Sequence, residues 1–217
     1  MEPIDAATVV IDTIVEMARE ARPLMLRVLP DVDVHWWAHY PDDDARDAIT
    51  RSRWYYHVHP PGERDEREHG HFHLFLHRTQ IDPSARPIAQ PPEGEDAAAH
   101  VAHVAGLSID GLGIPIGWFA TNRWVTDEFL YSAEVVIEHL PRYSVDRTPE
   151  DAAVNRFLTA MVALYRDEIA DMLRERDARL AVIAAASGGV TYCESGNDIL
   201  ASRPIDLDEK IASLEMS

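Results

Sequence analysis

Histidine is the side chain best suited to hold a transition metal or to move a proton near neutral pH. Six of the eleven histidines in this chain fall in one stretch, "HVHPPGERDEREHGHFHLFLH", at positions 57, 59, 69, 71, 73 and 77. All six numbers are odd. Side chains of a strand alternate between faces, so His57 and His59 share one face of a first strand, and His69, His71 and His73 one face of a second. Residues on one face follow each other at about 6.6–7 Å, and paired strands lie about 4.8 Å apart. Folded as a hairpin, the segment crowds four or five imidazoles into one small patch.

Such a patch is expected to bind one transition-metal ion through His57, His59, His71 and His73. Zinc or iron come first, with copper or nickel as alternatives, because neutral imidazole serves all four. His69 and Glu68, beside these ligands, are the candidate general bases. His39 and His103 could add ligands from outside the hairpin, while His35, His77, His100 and His139 receive no role. The competing reading is a patch of ordinary half-buried strand histidines. Everything depends on register. The two sets share a face only if paired residue numbers sum to an even number, such as 57 opposite 73, and a one-residue slip or a bulge would separate them.

Familiar templates fit poorly. His57, His59, Glu63 and Gly70 meet the cupin spacing, but the intervening "RDEREH" is too polar for the strand a cupin needs there. "HVHP" is similar to the start of the JAMM metalloprotease motif, yet Glu68 and His71 stand at its Ser and Asp positions. An amidohydrolase His-x-His needs a larger barrel than this chain supplies.

Holding the patch requires strands, and the flanking sequence supplies them. "WYYHVHP" and "HGHFHLFLH" read as two strands around the polar turn "PGERDERE". "HVAGLSID" and "IPIGWFATNRWV" read as two more, joined by "DGLG". Helical spacing appears at residues 5–28, in "ARDAITRSR" behind an acidic cluster, in "VTDEFLYSAEVVIEHL", and in a long helix from Thr148 to about Ala186. That helix has Thr148 as cap, Pro149 in its first position and Asp151 as capping-box acid, and Gly188 and Gly189 stop it. A last short helix, "IDLDEKIASLE", is capped by Asp206. The expected fold is α+β: an antiparallel sheet of about four strands covered by helices, with a long C-terminal helix. One domain spans 1–217, helical over 1–52, sheet over 53–125 with a long loop at 78–96, and helical over 126–217.

"HWWAHYP", "YYHVHP", "EHGHFHLFL", "HVAGLSIDGLGIP" and "FATNRWVTDE", in this order over about residues 35–133, resemble an uncharacterised bacterial domain-of-unknown-function family. Ala120 departs mildly from a pattern that tends to Thr. The resemblance implies a shared site and names no reaction.

A second constellation sits in "GWFATNRWVTDE". On a central strand, Asn122 and Arg123 would be polar groups among Trp118, Phe119 and Trp124, and each would need a partner. Two readings compete. Arg123 pairs with Asp127 or Glu128 and Asn122 caps the next helix, or the two bind a substrate and at least one lines a pocket opening toward the histidines.

The remaining composition narrows the partners. With 38 acidic against 20 Lys and Arg residues the net charge is -18, so neither nucleic acid nor an anionic membrane is expected as a partner. The single cysteine, Cys193, excludes an intramolecular disulfide and a thiolate zinc cluster. The acidic, amphipathic N-terminus does not read as a signal peptide and no apolar run approaches a membrane span, so a cytoplasmic location is expected. The functional expectation is a metal-dependent hydrolase or oxygenase acting on a small molecule. Its alternative is a non-catalytic structural metal- or haem-binding protein, and the sequence leaves self-association open.

Overall fold

A computed structural model describes residues 1–31, 33–91, 100–187 and 198–215. The last part of the expected long loop (92–96), the two glycines expected to stop the long helix, and Cys193 lie outside these residues. Two helices open the chain, α1 (Pro3–Arg19) and α2 (Leu24–Val28). Then come β1 (Tyr40–Arg46), β2 (Arg53–His57), β3 (Glu68–His77), β4 (Val101–Asp110) and β5 (Pro115–Thr121). Helices α3 (Arg123–Thr126), α4 (Ala133–His139), α5 (Ala152–Leu164) and α6 (Arg166–Ser187) precede β6 (Ile199–Pro204) and α7 (Leu207–Glu215).

Among the described residues the strands form one antiparallel sheet in sequence order, β1 to β6. The α+β class is as expected, and the four expected strands are its centre. The two strands that sequence reading missed are the edges. β1 runs "YPDDDAR" with only Tyr40 and Ala45 buried, and its register against β2 shifts between those two residues. An edge strand that buries so little carries almost no alternation to read. The helix expected at "ARDAITRSR" is instead the end of β1 and a turn, in which the Asp47 carboxylate accepts the amides of Ile49, Thr50 and Arg147.

One face of the sheet belongs to the helices. Trp54, Tyr56, Phe72, Leu74, Leu107 and Trp118 from the strands share a single core with Val10 of α1, Phe157 and Met161 of α5, and Met172 and Leu173 of α6. Each such side chain contributes about 1.5–3 kcal/mol by leaving water. Helix α5 is tied to β2 by Asn155, whose Oδ1 accepts from Trp54 Nε1 at 3.0 Å and from Thr148 Oγ1 at 2.8 Å. Asn155→Ala should therefore strand two buried donors and lower stability by roughly 3 kcal/mol. Urea unfolding checks this, and a loss under ~1 kcal/mol would mean that the pair is solvated.

Thr148 thus serves Asn155, and the cap of α5 is Asp151, which accepts from Ala153 N and Val154 N. The single long helix expected from Thr148 is two helices. They part at Tyr165 (φ -103°, ψ 25°), whose ring packs on Trp118 and whose hydroxyl donates to the Asp206 carbonyl. The last helix is capped by Asp206 as expected, through Glu209 N at 2.9 Å. Among the described residues no helix is long and apolar enough to cross a membrane.

Candidate metal centre

The face of the sheet turned away from the helices carries the histidines. The β2–β3 register sets His57 opposite His71 and Tyr55 opposite His73. The sums are even, so His57 shares a face with His71 and His73. Because every residue of β2 is buried, the patch is an interior one.

Three ring nitrogens converge. His57 Nε2 stands 2.6 Å from His71 Nε2 and 3.2 Å from His59 Nε2. One nitrogen from each of His57, His71 and His73 lies within 4.8 Å of the others, a grouping that could hold a metal ion. His73 Nδ1 is 3.0 Å from His103 Nε2. Four-coordinate zinc with bonds of about 2.0–2.1 Å spaces its ligand nitrogens roughly 3.3 Å apart. The His57–His59 separation already meets that figure. The shorter His57–His71 contact is a direct hydrogen bond that has to lengthen when an ion enters.

Carboxylates prepare two of these rings. His71 Nδ1 donates to Glu68 Oε1 at 2.7 Å, and His59 Nδ1 donates to Glu63 Oε2 at 3.3 Å. With the proton on Nδ1, each Nε2 keeps its lone pair and points it at the cluster. This carboxylate–imidazole arrangement is the one that fixes the tautomer of metal-binding histidines. Burial keeps the rings neutral. Desolvation, then repulsion from neighbouring histidines, pushes His57 down to about 3 and holds His71 and His73 well below the usual range. Desolvation also lowers His59.

A cavity of about 570 Å³ opens over the cluster, lined by His57, His59, His71 and His73 and walled by Trp37, Tyr55, Phe119 and Trp124. Its floor depends on Gly106, where a Cβ would lie 2.0 Å from the Phe119 ring. Segment 35–39 closes one side. Trp37 sets its ring 4.1 Å from His59, and His39 stacks on Tyr55 at 3.7 Å while its Nδ1 engages Asp44. A neighbouring cavity of about 590 Å³ lies behind the hairpin turn and holds Glu68 and His69. Of the converging histidines it reaches only His59, so the chemistry belongs to the first cavity.

Of the expected ligands, His57, His71 and His73 form one mutual group, and His59 joins it through its contact with His57. The two expected bases are not placed alike. A bulge between Glu68 and Gly70 turns the exposed His69 toward the other side, where Nδ1 meets Tyr56 Oη at 2.8 Å. The side chain of Glu68 is buried, and its carboxylate is shared between His71 and Arg64. Asn122 and Arg123 are not on the strand, since β5 ends at Thr121. Asn122 Oδ1 caps α3 by accepting Arg123 N, and Arg123 Nη1 donates to Asp127 Oδ1 at 2.9 Å. Neither lines the histidine cavity, although Trp124 and Val125 do. Sequence reading gave Glu63 and Thr121 no part in the site. For Glu63 the signal was its spacing of four from His59.

Fold and site together define an α+β protein with a buried histidine cluster on one face of a six-stranded antiparallel sheet. The chain belongs to the family described as Domain of unknown function (DUF6969), whose model matches residues 4–205. No curated protein and no solved structure matches it at a significant level.

Proposed function

We propose that the protein binds one transition-metal ion through His57, His59, His71 and His73 and uses it on a small molecule held in the aromatic cavity, as a metal-dependent hydrolase or oxygenase. One observation carries the reading: neutral imidazole nitrogens converge at the wall of a cavity large enough for a small molecule. A purely structural zinc has all its positions filled by protein and faces no such space. When bound, zinc would supply an activated water, and iron a place for dioxygen. The chain's own part is to present the lone pairs, with Glu68 and Glu63 holding His71 and His59, and to exclude bulk water with Trp37, Phe119 and Trp124. Glu68 acts on this reading through His71 rather than on the substrate.

Elemental analysis of protein purified without a histidine tag should find about one ion per chain. Cobalt(II) loaded in its place should give a visible spectrum that shifts when azide is added, because an open position accepts the anion. A cobalt spectrum indifferent to azide would assign the metal a structural role. Metal content far below one per chain under every loading condition would end the proposal.

A further inference from the structure

By plain alternation along β4, His103 would face the helices with Ala105 and Leu107. It does not. Leu74 pairs with Ala105 but Phe75 pairs with His103, so Val104 is an extra residue and the strand is bulged there. The bulge moves His103 to the face of His73 and Phe75. Bulges next to functional sites re-aim side chains in this manner.

The bulge is held at a cost. The amide of His103 is satisfied by the Glu128 carboxylate, which is 1% exposed and which burial pushes up to about 7. Burying a carboxyl group to serve one amide is expensive, and what it secures is the aim of His103. That ring is itself 2% exposed and has one contact at each nitrogen. Nε2 meets His73 Nδ1 at 3.0 Å, and Nδ1 meets Thr121 Oγ1 at 3.3 Å.

We propose that His103 is not a metal ligand but the positioning residue of the site, holding His73 in the tautomer whose Nε2 is free for the metal and turning the Thr121 hydroxyl into a donor toward the cavity. The inference rests on the metal-binding reading above. Once His73 gives Nε2 to the ion, its Nδ1 carries the proton and must donate. His103 Nε2 is then the acceptor, so its own proton sits on Nδ1 and goes to Thr121 Oγ1. Thr121 lines the cavity, and its hydroxyl, already an acceptor, directs its hydrogen into that space. The two hydrogen bonds form one chain whose direction the metal sets.

Long-range proton–nitrogen NMR of the unmutated, zinc-loaded protein reads these tautomers directly. His103 should carry its proton on Nδ1 and show no shift typical of a metal-bound nitrogen. His103→Leu should weaken zinc binding about 10- to 100-fold, the usual effect of losing the partner of a ligand histidine. His103→Gln, whose amide can accept from His73 and donate to Thr121, should recover most of that loss. A proton on His103 Nε2, a zinc-ligand shift at His103, equal affinity in wild type and His103→Leu, or a glutamine variant as weak as the leucine one would each overturn the assignment while leaving zinc binding intact. No zinc uptake by the unmutated protein would overturn both readings together.

Discussion

Joint replacement of His57 and His71 by alanine is expected to leave the protein without bound metal. These two rings form the closest pair in the cluster, and both are buried at the wall of the cavity. Two of four proposed ligands then disappear, and the remaining pair is His59, two residues past the end of β2, and His73, in the middle of β3. His57→Gln with His71→Gln keeps more of the side-chain volume and guards against a variant that fails only because it is poorly packed. His69→Ala is the control. Its imidazole engages Tyr56 outside the cluster, so metal content should stay at the wild-type value. Glu68→Gln should fall between, with affinity lower by about 10- to 100-fold, because the ring it orients keeps its lone pair but loses its charged partner. Elemental analysis after exhaustive dialysis reads all of these. Full metal content in either double variant, with a native circular dichroism spectrum, would remove His57 and His71 from the ligand set.

The second large effect is acid sensitivity. His57 and His103 have folded values near 3 against an ordinary 6.5, and burial depresses His71 and His73 as well. The sign follows from proton counts. Between the folded and unfolded values the unfolded chain binds protons that the folded one refuses, so stability falls as pH drops below about 6.5. For His57 and His103 the loss is roughly 2 kcal/mol each between pH 6.5 and 5. Glu128 works in the opposite direction, since a carboxyl raised to about 7 favours the fold below its ordinary 4.5 and loses that contribution as pH rises through 7. Several histidines outweigh one carboxyl. The urea midpoint of the metal-free protein should therefore drop clearly between pH 7.5 and pH 5. A midpoint that holds or rises on acidification would show that the imidazoles are accessible to solvent.

How far local sequence specifies the structure differs from residue to residue. The strand character of 53–57 and 68–77 and the cap at Asp206 are local properties, and they stood in the sequence plainly. The common face of His57 and His71 was legible only conditionally, because alternation orders residues within a strand while pairing is decided between strands. The edge strands were missed because they bury too little to show a pattern. Asn122 and Arg123 lie just past the strand that their neighbours suggest, because the asparagine side chain competes for the backbone and starts a helix turn there.

What the sequence by itself determined is the supply of chemistry: odd-numbered imidazoles in two adjoining strand segments, acids spaced to reach them, and a net charge of -18. Only the tertiary structure decided which of these act together. It set 57 against 71, turned His69 away at one bulge and brought His103 in at another, and buried the cluster so that every ring stays neutral. The reason is physical. Alternation and capping act over a few residues and leave their mark in composition and spacing. Register, bulges and burial are set by what the whole core excludes from water, and a single extra residue such as Val104 reverses the face that a side chain presents.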